Sequence, residues 1–264
     1  MAGNNKNKSV QVIDRCFAIL EEIADNQGET SLAELGRALS IPHSTIHRIL
    51  STLLNLGYVE QNQQNGHYKL GLKLLHLSNA VLESLELRSM SQKYLKELMQ
   101  KTGETSNLVV LDGDEVVYIE KVESRASVRV FKLIGARAPV HTTAAGKVLL
   151  SEMAHIDIIE ILRRKGLPTL TPQSITDSTK FFDELERVKK QGFALDDEEC
   201  ELGARCIAVP VRNHTGRVVA SLSISGPISR LTNLRIRKLI PIVKEYGDQM
   251  SQALGYEEEI MKIE

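Results

Sequence analysis

An α+β chain in two parts is what the sequence predicts. Three observations carry that prediction. A helix, a turn, a second helix and a hairpin follow one another between Ser31 and Gly71. The apolar period then changes from helical to alternating just after Gly103. Beyond that point β-rich runs come in two groups with helices between and after them, the mark of one mostly antiparallel sheet covered by helices. At 264 residues the chain has room for two cores. Its 42% hydrophobic and 25% charged residues are ordinary for a globular protein and exclude disordered and fibrous classes.

The polar start MAGNNKNKS lacks the apolar stretch of a signal peptide, and residues 1–8 are expected to be a disordered tail. Ser9 is placed to cap a helix whose stripe is Val12, Ile13, Cys16, Phe17, Leu20 and Ile23. Asp25-Asn26-Gln27-Gly28 ends it. The next helix sets Leu32, Leu35 and Leu39 on one face. Ser40-Ile41-Pro42 breaks it, because the residue before a proline is pushed out of the helical region. Pro42 suits the first position of the following helix, where a missing N–H costs nothing.

That second helix, Pro42 to Leu56, has Ile46, Ile49, Leu50 and Leu53 at helical spacing. His43, Ser44, Thr45, His47, Arg48, Ser51, Thr52 and Asn55 fall largely on the other side. This face is small, rich in donors and poor in carboxylates, which suits a helix laid in a DNA groove. Two short β runs follow, Tyr58–Gln61 and His67–Leu70, around Asn65-Gly66, a strong hairpin signal. Residues 9–71 therefore predict a winged helix-turn-helix. A helical hairpin with a solvated face is the plain alternative. The order of the pieces favours the DNA reader.

Residues 72–86 predict a linker helix with two apolar stripes, one of Leu72, Leu75 and Leu82 and one of Leu74, Leu77 and Val81. Two stripes suggest dimerisation, against the alternative of a plain buried helix. Residues 87–264 form the second domain. It opens on a helix, Leu87–Lys101, with Met90, Leu95, Leu98 and Met99 inward. Strands follow at Asn107–Leu111, Glu115–Val122 and Val128–Ile134. Helices are expected at Thr143–Met153 and Ile156–Arg164, then an irregular stretch at Leu167–Thr176, then a helix at Ser178–Gln191 closed by Gly192. Cys206–Arg212 and Arg217–Ser225 are strands. Leu234–Leu254 is a last helix, kinked or broken at Pro241.

Charge and cysteines bound the function. Net charge is −1 and the isoelectric point is near 6.7, which argues against strongly basic nucleic-acid binding. From Ile41 to Lys73, however, Arg48, Lys69 and Lys73 face only Glu60, a balance of +2 with His43, His47 and His67 besides. So weak a local charge predicts that two copies act together. Cys16, Cys200 and Cys206 form no pairing pattern, as expected of a reducing cytoplasm. No apolar run reaches the ~18 residues of a membrane span.

Along nearly its whole length the chain resembles the IclR family of bacterial transcriptional regulators. The resemblance rests on LAELGRALSIPHSTIHRILSTLLNLGYVE, YKLGLKLLHLS, HTTAAGKVLLS, GFALDDEECELGARCIAVPV and SLSISGPISRL, in that order. It implies a winged helix, a linker helix and a C-terminal GAF-like domain that binds a small effector. It also implies dimers, often dimers of dimers, on palindromic double-stranded operators, with repression commoner than activation. The candidate DNA contacts are His43, Ser44, Thr45, His47, Arg48, Ser51 and Thr52, with His67 and Lys69 on the wing.

Three segments of the second domain read as pocket walls. Thr142-Thr143-Ala144-Ala145-Gly146-Lys147 opens a helix with small residues, so its N–H groups can approach a carboxylate. Asp196–Cys206 is an acidic loop meeting a strand. Ser221, Ser223 and Ser225 share one strand face. Resemblance to relatives with bound small acids places ligand contacts at Ala144, Ala145, Asp196, Cys206, Ser223 and Ser225; Ala144 stands where the family often has glycine. A small organic acid is the expected effector, with no cofactor and no metal. Each of these features also has a plain reading as packing or solvated surface. Three rivals stand beside the regulator. A hydrolase built on Cys206, His141 and Asp196 lacks any local nucleophile signature. A metal pair at His43 and His47 lacks the Glu that would follow His43. An architectural DNA-binding protein would leave the second domain idle.

Overall fold

The computed structural model describes residues 10–26, 29–77 and 86–257. The expected tail, residues 1–8, and the distal half of the linker helix lie outside them. The chain divides into two compact units, Met1–Ser84 and Leu85–Glu264.

The first unit runs α1 (Gln11–Asp25), β1 (Glu29–Thr30), α2 (Leu32–Leu39), α3 (His43–Leu56), β2 (Val59–Gln61) and β3 (Tyr68–Leu70). Ser31 starts α2 with a capping box: its hydroxyl accepts from Glu34 N at 3.3 Å, and Ser31 N donates back to Glu34 Oε2 at 2.8 Å. Ser40 ends that helix in the left-handed conformation, φ 52°. Pro42 is the cap before α3 rather than its first residue, with ψ 136°. Its carbonyl takes the first two N–H bonds of the helix, from Thr45 and Ile46.

Ile46, Ile49, Leu50 and Leu53 are buried as their spacing predicts. They share a core with Leu35, Val59, Tyr68, Ile19 and Ile23. Each such fully buried side chain stabilises the unit by roughly 1.5–3 kcal/mol. The expectation for α1 is corrected in two ways. Val10 is the cap residue, with no side-chain bond. Ile23 of the stripe is buried beside Ile19, which the stripe omitted, and Cys16 and Leu20 pack partly against the core, whereas Val12, Ile13 and Phe17 are each more than half exposed. The wing is a three-stranded antiparallel sheet, β1-β3-β2, and β1 was not foreseen because two residues carry no readable alternation. Residues 73–77 are helical and leave Leu75 and Leu77 exposed, with Leu72 just before them exposed as well.

The second unit begins with α4 (Glu86–Thr102), then β4 (Thr105–Asp112), β5 (Glu115–Val122) and β6 (Arg137–Pro139). Next come α5 (Ala144–Ser151), α6 (His155–Lys165) and α7 (Ser178–Gln191). The unit closes with β7 (Ala194–Asp197), β8 (Ala204–Arg212), β9 (Val218–Pro227) and α8 (Asn233–Ala253). The six strands form one sheet, β6-β5-β4-β9-β8-β7, with every ladder antiparallel. Strand alternation gives it two apolar faces. Ile207, Val209, Leu222 and Ile224 meet α4 and α8. The opposite face meets α5, α6 and α7 through Ala144, Val148, Ile158, Phe181 and Leu185. Residues Ala144 to Leu150 are all buried, so α5 is a wholly interior helix.

Three expectations fail here. Val128–Ile134 is not a strand. Val128, Phe131 and Leu133 are each over half exposed. Side chains rather than a ladder satisfy its backbone: Arg230 donates to the Val128 carbonyl at 2.6 Å and Lys121 Nζ to the Lys132 carbonyl at 2.7 Å. The third strand is β6, just beyond. The acidic run is not all loop, since β7 pairs with β8. And α8 runs unbroken through Pro241, which sits on its exposed side, so the carbonyl that the proline cannot serve faces water.

Candidate functional site

Two surfaces gather the candidate residues, one in each unit. In the first, α3 presents His43, Ser44, His47, Arg48 and Thr52 to solvent, with Thr45 and Ser51 partly covered. Arg48 makes no ion pair among the described residues. Ser51 and Thr52 turn their hydroxyls back on the helix, donating to the carbonyls of His47 at 2.8 Å and Arg48 at 3.0 Å. What remains to a ligand is their oxygen lone pairs.

His43 leans its ring over Gly36, where a Cβ would overlap it. Gly36 therefore lets α2 approach α3, a role the sequence reading did not assign. On the wing, His67 is half-buried. Lys69 is exposed and pairs across the ladder with Glu60 at 3.0 Å, both side chains 47% exposed. Such a pair contributes little and is readily exchanged.

In the second unit the strand register brings the other candidates together. Asp196 on β7 lies opposite Cys206 on β8, and Cys206 lies opposite Ser225 on β9. Ser223, two residues along, faces Asn107 on β4. The first turn of α5 lies over this row. Ala144, Ala145, Asp196, Cys206, Ser223 and Ser225 all line one cavity; Ser221 does not, and bonds the Val209 carbonyl at 3.1 Å instead. The free space is about 20 Å³, room for little more than a water molecule. An organic acid must displace side chains to enter.

The start of α5 shows why small residues stand there. Thr143 caps it, its hydroxyl accepting from Gly146 N at 3.1 Å. A Cβ on Gly146 would run into the backbone of Val140, so the glycine serves a close crossing of two chain segments. The N–H groups of the first turn have no backbone partner within the helix, and Ala144 and Ala145 of that turn line the cavity.

Burial sets the direction of the electrostatics here. Burial raises the pKa of Asp196, opposed in part by its bonds from Glu199 N (2.9 Å) and Cys200 N (3.3 Å) and by Lys147. Burial, reinforced by Asp196, pushes the Cys206 thiol well up. Behind the wall, Lys147 is 1% exposed and pairs with Glu199 at 2.6 Å and Glu184 at 3.6 Å. The hydrolase alternative fails on this geometry. Cys206 is held as a thiol, and His141 Nε2 is bonded to the Pro168 carbonyl at 3.0 Å rather than to the sulfur. Burial also lowers the His141 pKa.

The sequence reading missed four lining residues: Asn107, Tyr118, Val130 and Lys132. Asn107 had a signal, being an amide at the head of an apolar strand run. It donates to Ser225 Oγ at 3.3 Å.

Comparison with known proteins identifies a domain in each unit. The IclR helix-turn-helix domain matches residues 12–63, and the bacterial transcriptional regulator IclR C-terminal domain matches residues 79–252. The regulator XynR of Escherichia coli is 36% identical over 247 residues, covering 94% of this chain and 98% of its own. The acetate operon repressor of Salmonella typhimurium is 34% identical, covering 93% and 90%. Among solved structures, the IclR protein of Thermotoga maritima superimposes with a TM-score of 0.75 at 32% identity, covering 93% and 99%. An IclR homologue of Microbacterium hydrocarbonoxydans, complexed with 4-hydroxybenzoate, gives 0.79 at 26%, covering 92% and 98%. These relatives are regulators, not enzymes. With both of the family's domains present in order, the chain belongs to the IclR family of bacterial transcriptional regulators.

Proposed function

We propose that this protein is an effector-controlled repressor that works in the cytoplasm. It binds a palindromic operator as a dimer or a dimer of dimers. Two copies of α3 enter successive major-groove faces about 34 Å apart. Arg48, His47, Ser44 and Thr45 are its contacts to bases and phosphates, and His43, Ser51 and Thr52 lie on the same face. His67 and Lys69 touch the backbone from the wing. The exposed Leu72, Leu75 and Leu77 support pairing of copies.

One observation carries the sensing half. Six residues separated by up to 81 positions converge on a single cavity, at the mouth of a helix start suited to a carboxylate. The 4-hydroxybenzoate held by the Microbacterium relative supports an organic acid there. Asp196 and the two serines would orient it. Among the described residues no helix is long and apolar enough to cross a membrane.

Effector coupling of about 1–3 kcal/mol would change operator affinity roughly 5- to 150-fold. The test is fluorescence anisotropy on a duplex selected from a random library, with an acid found by thermal-shift screening. Wild type should release the duplex when that acid is added. Ser223→Ala should bind the duplex normally and no longer respond. A normal response from Ser223→Ala, matched by Asp196→Ala, would refute the pocket. Tightened duplex binding would overturn repression relieved by the acid.

A further inference from the structure

The cavity has a floor and a mouth of different character. Ala144, Ala145, Asp196, Ser223 and Ser225 make the floor, and each is at most 6% exposed. The mouth carries Lys132, with its side chain 31% exposed, and Glu201 at 61%. Lys132 comes from the long crossing between β5 and β6. Its carbonyl is pinned by Lys121 Nζ at 2.7 Å, while its neighbours Phe131 and Leu133 point to solvent. With its backbone tied, the Lys132 side chain lines the cavity together with Val130.

Lys132 Nζ lies 3.5 Å from Glu201 Oε2. That is a loose pair with a well-exposed carboxylate, so exchanging Glu201 for another anion costs little. A floor that takes one carboxylate at the α5 start leaves this ammonium facing the other end of the ligand. We propose that Lys132 is the specificity-determining residue of the pocket and selects acids with a second anionic group, a short dicarboxylate whose far end displaces Glu201. The inference rests on the effector reading above and deepens it.

Calorimetric titration of the full chain tests it. The probes are succinate and glutarate against butyrate and valerate, acids of matching carbon number. A charge-assisted bond predicts that each dicarboxylate binds about tenfold or more tightly than its partner. Lys132→Met should erase that preference and Lys132→Arg should keep most of it. Equal affinities in wild type, a preference that survives Lys132→Met, or no heat with either dicarboxylate at millimolar concentration would each overturn the proposal.

Ala145→Leu, which fills the floor, separates the two readings; Ser223→Ala is the milder floor variant if melting curves show the leucine chain unfolded. Binding lost on altering the floor but indifferent to Lys132→Met keeps the pocket and removes Lys132. Binding untouched by either floor variant removes the pocket itself.

Discussion

Lys147 Nζ lies 2.6 Å from Glu199 Oε1 in the interior of the C-terminal unit, and the two side chains are 1% and 10% exposed. The pair joins the helix that starts at the cavity to the loop that follows Asp196. Glu199 N also donates to Asp196 Oδ1. One buried cation thus ties two walls of the site. Lys147→Met would leave Glu199 without its partner, and its other oxygen already has no hydrogen bond. Breaking a buried pair from one side costs about 3–5 kcal/mol. Urea unfolding should show that loss. A change smaller than the scatter of the measurement would mean that the pair does not hold the walls.

Asp196 should cost stability as it ionises. Burial raises its pKa above the ordinary 3.8. The native chain keeps this proton over a range in which the unfolded chain has released it. Stability therefore falls as pH rises through that range, the reverse of a salt-bridged aspartate. Glu199, also raised by burial, adds the same sign. Asp196→Asn, which keeps an acceptor for Glu199 N and Cys200 N, should flatten the decline and be at least as stable as wild type at neutral pH. A steeper decline in this variant, followed by denaturant midpoints across pH, would contradict the assignment.

Arg48 is exposed on α3, so Arg48→Ala should leave the melting temperature unchanged. Specific duplex binding should weaken by about 1–3 kcal/mol if the guanidinium reads a base. A loss shared equally by unrelated duplexes, with a shallower salt dependence, would place it on phosphate instead. Gel-shift titration at two salt concentrations distinguishes these outcomes. Unchanged affinity removes Arg48 from the interface.

Gly146→Ala tests the crossing beneath α5. Its new methyl meets the Val140 backbone, which has no rotamer to swing away. Overpacking of this kind costs about 1–3 kcal/mol. The α5 start must shift, so ligand affinity should fall along with the thermal midpoint. A variant as stable as wild type would show that the two segments part easily.

Much of the fold was legible because it is local. The α3 stripe of Ile46, Ile49, Leu50 and Leu53, the Gly192 stop and the Glu115–Val122 strand all follow from spacing and turn chemistry. The Val128–Ile134 expectation failed because β-rich composition says nothing about whether a partner edge exists. Here Arg230 and Lys121 took the backbone groups instead. The wing's β1 and the edge strand β7 were missed because strands of two and four residues borrow their identity from the ladders they join.

The site divides along the same line. Residue type and local period determined which side of α3 is polar and that the serines of β9 share a face. Residue-level chemistry could not say that Asp196, Cys206 and Ser225 stand in one row, because long-range register puts them there. Nor could it single out Lys132, one of two cations in the run Val128–Ile134. Its meaning comes only from the crossing that carries it over the cavity and from Glu201, which lies sixty-nine positions away in sequence and 3.5 Å away in space. Spacing along the chain governs what neighbours share, whereas tertiary packing alone decides which distant charges meet.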